Sequence, residues 1–227
     1  MRFVAPLFLG IAGCAILLWL GFWQMSRLEW KEGVLAEIEL KIAANPVALP
    51  ERPNPDQDRF LPVTASGQFQ GAPLRILVSQ KHIGAGYRLI QPFHTDGRRI
   101  LVDRGFIPVD EEMPATPAGG LTVAGNLHWP DEVDDFTPAP EFDKNLAFAR
   151  DVPTLAAHFG TEETFVVASS LWPSEPEVTP LPVSTEGIPN DHLEYAVTWF
   201  SLSLVWLGMT GLWLWRMARP RSGKEEI

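Results

Sequence analysis

The clearest chemistry-bearing arrangement in the chain is a stripe of side chains that begins at His192. On an α-helix, His192, Tyr195, Ala196, Trp199, Ser203 and Trp206 share one face at i, i+3/i+4, i+7 spacing. The stripe sets one metal-capable imidazole beside aromatic walls and a small residue, in a run otherwise rich in Leu and Val. Neutral imidazole is a common metal ligand and an axial ligand of haem iron. A second group stands at Trp23, Gln24 and Arg27. If the two segments are helices of opposite direction, these three lie level with His192 and Tyr195, and Arg27 can bind a haem propionate by a charge-assisted pair. A plainer reading stands beside this one. His192 can be an interfacial histidine bonded to water, lipid or the capping loop, with Arg27 reaching lipid phosphates or pairing with Glu194. The residues alone leave both open.

Either role needs a helix start that holds His192 in place. Asp191 and Glu194 have capping-box spacing: the Asp191 carboxylate is expected to accept the Glu194 N–H, and Glu194 to reach back to the N–H of Asp191. Tyr195 to Trp215 is then a run of 21 uncharged residues, and Phe3 to Ser26 is another of 24, bounded by Arg2 and Arg27. At about 1.5 Å per residue, each run can cross about 30 Å of hydrocarbon. The expected segments are a cytoplasmic start (1–4), a transmembrane helix (5–25), an exported β-rich domain (26–193), a second transmembrane helix (194–215) and a cytoplasmic tail (216–227). Gly10, Gly13 and Gly21 offer a small-residue surface for helix contact, and Pro6 falls where a helix start tolerates it. Trp19, Trp23 and Trp30 fit an interfacial aromatic belt. The first helix is expected to continue to about Ala44, where Asn45-Pro46 ends it.

Charge sets the expected orientation. Arg2, Arg216, Arg219, Arg221 and Lys224 lie on the terminal sides of the two runs, whereas Arg27 to Glu194 carries 13 Lys or Arg against 26 Asp or Glu. The positive-inside rule places both termini in the cytoplasm and the central part outside. That acidic part argues against a nucleic-acid partner and leaves membrane lipid as one. The single cysteine, Cys14, lies inside the first run, so the exported part has no disulfide. Ile11-Ala12-Gly13-Cys14 resembles a lipoprotein processing site, but apolar sequence continues past the cysteine as in a span. With no cleavable signal pattern and no Arg/Ser-rich transit stretch, a bacterial inner membrane is the expected location.

The central part reads as strands at Leu61–Phe69, Arg75–Lys81, Gly86–Thr95, Arg99–Pro108, Leu121–His128, Leu146–Arg150 and Thr164–Ser170, with a short helix at Val152–Phe159. Asp96-Gly97 is a hairpin signal, and Pro173 to Pro189 is a proline-punctuated connector. The fold class expected is therefore two transmembrane α-helices bracketing a mainly antiparallel β (α+β) domain, closed or half-closed like a barrel. Within it the chemistry looks structural. Tyr87-Arg88 and Asp103-Arg104-Gly105 are expected to form ion pairs or turns in the sheet. Asp131-Glu132-Val133-Asp134-Asp135 reads as a solvated loop before a cation site, because it lacks EF-hand spacing. His82, His94, His128 and His158 are too far apart in sequence to suggest a shared site. No nucleophile elbow, zinc signature, Cys-x-x-Cys, phosphate loop or dinucleotide fingerprint occurs, so an enzyme is not expected.

Several of these residues also carry a resemblance. Leu20-Gly21-Phe22-Trp23-Gln24-x-x-Arg27-Leu28-x-Trp30-Lys31 resembles the opening signature of the surfeit locus protein 1 family of cytochrome c oxidase assembly factors. Gly86-Tyr87-Arg88, Val102-Asp103-Arg104-Gly105 and the block from Pro189 to Phe200 resemble its later signatures, in the same order. The resemblance implies a non-enzymatic role in building haem-copper oxidase. It implies transient binding of haem a with His192 as the ligand, receipt of that haem from haem a synthase, and its placement in oxidase subunit I. With the helix-face and membrane-level readings above, the cofactor-binding set expected is His192, Tyr195, Trp199, Trp23, Gln24 and Arg27, and the resemblance implies His192 on the metal. The rival reading is a cofactor-free membrane scaffold that stabilises an oxidase assembly intermediate.

Overall fold

A computed structural model of the chain describes residues 3–80 and 84–219. It divides into two compact units: a helical unit drawn from the two ends of the chain, and a β unit spanning Ile38–Thr185.

The helical unit is built from α1 (Val4–Ile42) up to Glu37 and from α4, His192–Ala218. Both are long and apolar enough to cross a membrane, and most of their residues face away from protein. Phe8, Trp19, Leu204 and Met209 are among the exposed apolar side chains, which is the pattern of a surface solvated by lipid. Helix α1 runs unbroken through Cys14 and ends at Ile42, in agreement with the expected stop before Asn45-Pro46. The capping box at the start of α4 does not form. Asp191 makes no side-chain cap, and its φ of −92° and ψ of 9° leave the extended conformation from which a capping carboxylate folds back on the first turn. Its backbone carbonyl instead accepts the Tyr195 N–H at 3.2 Å.

In the β unit, β1 (Val47–Ala48) and the one-turn helix α2 (Pro55–Asp58) precede the main sheet. The sheet is formed by β2 (Pro62–Phe69), β3 (Leu74–Gln80), β4 (Gly84–Thr95), β5 (Arg98–Pro108), β6 (Leu121–Leu127), β7 (Leu146–Ala147) and β8 (Phe165–Trp172), with α3 (Val152–Phe159) before the last strand. Five strands close into a barrel in the order β2-β6-β8-β5-β4, and β4 returns to β2 through Gln68↔His94 and Phe69↔Phe93. Only β5–β8 is parallel within the ring. β3 and β7 extend the sheet beyond β4, and β1 pairs with β2. Alternate side chains fill the interior, among them Val63, Phe93, Leu101, Val123 and Phe165, all fully or almost fully buried.

The hairpin expected at Asp96-Gly97 joins β4 to β5, with φ of 48° and 74° at its two central residues, the pattern of a type I′ turn. Two sequence readings change. The strand expected over Arg75–Lys81 runs Leu74–Gln80, and Lys81 and His82 lie outside the described residues. The strand expected over Leu146–Arg150 stops at Ala147, and the Arg150 N–H is taken by the Glu132 carboxylate at 2.9 Å instead of a ladder partner.

Candidate functional site

The glycines of α1 let α4 approach closely. A Cβ at Gly21 would meet the Phe200 ring at 2.6 Å, and Cβ atoms at Gly13 and Gly10 would meet Trp206 and Thr210. The buried positions Gly10, Gly21 and Gln24 fall with the half-buried Cys14, Leu17 and Leu28 at alternating four- and three-residue steps, the seam of a left-handed helix pair. Polar atoms along this seam meet in pairs. Trp206 Nε1 donates to the Gly10 carbonyl at 3.1 Å, and Cys14 Sγ lies 3.2 Å from Ser203 Oγ. Phe22 and Phe200 pack edge to face with centroids 5.3 Å apart. The last pair of this ladder is His192 Nδ1 with Gln24 Oε1, at 2.8 Å.

Of the six residues expected to form the site, the structure therefore joins two directly. Gln24 is buried, and His192 and Trp199 are half-buried. Trp23 and Tyr195 stand exposed, and the Arg27 guanidinium lies 4.3 Å over the Trp30 ring. Among the described residues no ion pair joins Arg27 to Glu194, one of the two plainer roles weighed for that arginine, and no hydrogen bond reaches His192 Nε2. With Gln24 Oε1 as acceptor, Nδ1 carries the ring proton and Nε2 keeps its lone pair. The arrangement presents one imidazole nitrogen able to bind a metal, with the other held by a buried amide on the facing helix.

The β unit holds its charge differently. Asp103 is fully buried: Arg88 Nε donates to it at 2.6 Å, the Gly105 N–H at 3.1 Å, and Arg150 Nη1 stands 3.8 Å away. Burial pushes the Asp103 carboxyl up, against the pull of the two guanidiniums and the Gly105 amide. Arg150 is held in turn by several hydrogen bonds from its side chain and backbone to Glu132. Burial opposes ionisation of Glu132, but the hydrogen bonds and charge of Arg150 outweigh it and bring its pKa down. Arg104 is also buried, donating to Gln91 Oε1 at 2.7 Å, to both Glu175 carboxylate oxygens and to the Ala115 carbonyl. Burial lowers its pKa to about 10, so it stays charged at neutral pH.

These networks tie the connector to the barrel. Arg104 holds Glu175, Arg88 Nη2 donates to the Leu181 carbonyl at 2.6 Å, and Phe106 exchanges two backbone bonds with Thr179, at 2.7 and 2.9 Å. Gly105, at a φ of 128°, makes room for the Thr179 backbone, which a Cβ there would strike. The ion pairing expected at Arg88 and Asp103 is thus present. The partners Glu132, Arg150, Glu175 and Leu181 are too distant in sequence to be named from local pattern.

The remaining histidines occupy separate places. His158 stacks on Phe142 with centroids 3.9 Å apart, and His94 sits in the β2–β4 closure. His128 stacks on Phe60, and its Nδ1 is buried with no partner. Burial, helped by Arg150 and Arg59, lowers the His128 pKa to about 4. In the acidic loop Glu132 is spent on Arg150, and Asp134 accepts from the Phe136 N–H and the Thr137 hydroxyl within its own turn. Among the described residues no three His, Cys, Asp or Glu side chains gather as a metal site.

Comparison with known proteins places this geometry in context. A family model described as the SURF1 family matches residues 11–204. The chain is 30% identical to surfeit locus protein 1 of Homo sapiens over 231 residues, spanning 90% of this chain and 75% of that protein. It is 26% identical to surfeit locus protein 1 of Rattus norvegicus, over 90% of this chain and 73% of the other. A SURF1-like protein of Rickettsia felis is 28% identical, over 83% of this chain and 88% of its own length.

Proposed function

The chain belongs to the SURF1 family, and from that premise we propose that it is a membrane assembly factor for a haem-copper oxidase of the cytochrome c oxidase type. It receives haem a from haem a synthase, holds it transiently at His192 and aids its insertion into oxidase subunit I. It lies in a bacterial inner membrane with both termini in the cytoplasm and the β unit in the periplasm, as the charge distribution favours. Its role is not catalytic.

One observation carries the ligand reading: the 2.8 Å contact from His192 Nδ1 to Gln24 Oε1. It fixes the tautomer by the route metal-binding histidines ordinarily use, one nitrogen tied to a polar neighbour and the other left for the metal. When bound, haem would supply an iron that takes a nitrogen ligand and two carboxylates that take a cation. The residues present fit those needs. His192 offers Nε2 to the metal, Trp23, Tyr195 and Trp199 offer apolar surface, and Arg27 offers a cation for a carboxylate. A single protein ligand suits a site from which the cargo has to leave.

The test is spectroscopic. The full chain co-expressed with haem a synthase is expected to purify with haem and a histidine-ligated spectrum. Unchanged haem content and spectrum in His192→Ala would defeat the ligand assignment. The scaffold reading draws on a different observation: Phe136 and Trp172 of the β unit are 91% and 78% exposed, large apolar side chains of the kind that dock to partners. Capture of subunit I by this chain, at the same level with and without haem a synthesis, would favour that role.

A further inference from the structure

We propose that Gln24 is a positioning residue, which selects the nitrogen His192 presents and keeps that nitrogen a moderate ligand so that haem can be released. This rests on the haem-holding reading above.

The choice of partner is the informative part. A carboxamide buried in an apolar helix pair is costly unless it is hydrogen-bonded. Gln24 is only 9% exposed, one turn from the close contact of Gly21 with Phe200. It answers that cost with the His192 ring, 168 positions away in sequence. Two carboxylates are nearer in the chain, Asp191 one residue before the histidine and Glu194 two after. Neither side chain bonds the ring or caps the helix. The ring is thus oriented by a neutral amide although anionic acceptors flank it.

That difference has a chemical consequence. A carboxylate on the distal nitrogen of a metal-bound histidine draws the shared proton, makes the other nitrogen a stronger donor and tightens the metal. An amide oxygen orients the ring equally well but withdraws the proton less. The site gains the correct tautomer and ring angle without the strength that would slow transfer. Gln24 touches no haem in this account; it acts through His192.

The experiment compares full-length wild type, Gln24→Glu, Gln24→Leu and His192→Ala in detergent, each loaded with haemin. Absorption spectrum, midpoint potential and the rate of haem transfer to apomyoglobin are measured, and helicity is checked by circular dichroism. Gln24→Glu is expected to keep the histidine-ligated spectrum, lower the potential and slow transfer about tenfold. Gln24→Leu, which frees the ring, is expected to weaken that spectrum and speed transfer by about tenfold or more. A purely structural role for Gln24 would move both variants the same way, and that result overturns the proposal. So do wild-type spectra and rates in both Gln24 variants when His192→Ala alone loses the ligated spectrum, a result that leaves the haem-holding reading intact. If His192→Ala itself matches wild type, the haem-holding reading falls and this inference with it.

Discussion

The helix pair and the barrel use buried polar groups in opposite ways. In the barrel, Asp103, Arg88, Arg150 and Glu132 form one connected set, and Arg104, Gln91 and Glu175 another. Gln91 is typical: while its oxygen accepts from Arg104, its amide nitrogen donates to the Gly71 carbonyl at 2.5 Å and to Thr116 at 2.9 Å. Such sets hold structure, because each buried charge already has an opposite charge or a polar partner within the set. Along the helix pair, polar groups meet two at a time, and His192 keeps one nitrogen uncommitted. Saturation marks the ion pairs that fix a connector to a barrel. Spare valence, held in place by a buried partner, marks the group able to take a ligand.

The comparison breaks most visibly at Asp103. Asp103→Ala leaves Arg88 buried without its carboxylate and takes a charge from beside Arg150. Removing one member of a buried pair costs about 3–5 kcal/mol. The expected outcome is a large fall in the unfolding midpoint of the full chain in detergent, read by near-ultraviolet circular dichroism. A midpoint within a few degrees of wild type would mean the network is not what secures the barrel.

A smaller effect comes from His128, among the described residues the one barrel histidine whose buried nitrogen has no partner. Its pKa in the folded chain is about 4, against about 6.5 for an unfolded histidine. The unfolded chain therefore binds more protons between these values, and stability rises with pH across the window. Acidification from pH 6.5 towards 4 should cost about 2 kcal/mol from this group, less than the full shift implies because the ring keeps some solvent contact. Asp103, with its carboxyl raised by burial, contributes in the opposite sense. The measurement is the unfolding midpoint against pH for wild type and His128→Phe, which keeps the stack on Phe60 and cannot titrate. Parallel curves for the two would remove His128 from the acid response.

Local pattern made much of this molecule legible. Hydrophobic period and length located both helices, the turn chemistry of Asp96-Gly97 located a hairpin, and Pro153 with the apolar spacing after it located α3 over Val152–Phe159. Closure of the barrel was less visible, since it depends on the short Gln68–Phe69 pairing with Phe93–His94, which no local signal encodes. That Trp23, Gln24 and Arg27 were the candidates to face His192 followed from helix length and opposite direction, and Gln24 is the one seen to meet it. Which of the three meets the ring depends on helix rotation, and that is set by Gly10, Gly13 and Gly21 packing on Thr210, Trp206 and Phe200. The capping box was a true spacing with the wrong backbone angles at Asp191. The partners of Arg88 and Arg104 on the connector became visible only once the chain had folded, because Glu175 and Leu181 are more than 70 residues from them.

The sharpest form of the comparison is the substitution with the smallest effect on stability. His192→Ala removes one hydrogen bond between helices, and bonds of this kind contribute about 0.6 kcal/mol on average within membrane proteins. Gln24 loses its partner, so a further fraction of that size is expected from the amide left behind. The glycine contacts, the Trp206 bond to Gly10 and the Phe22–Phe200 packing all remain. The unfolding midpoint of the full chain should therefore stay within a few degrees of wild type, while Asp103→Ala under the same conditions falls far below it. If His192→Ala destabilises as much as Asp103→Ala, then His192 is a structural strut of the helix pair, and its free nitrogen is incidental. If it leaves the fold intact and abolishes only the ligated spectrum, stability and ligand binding are separable in this chain, the first held by saturated pairs and the second by an unsaturated one.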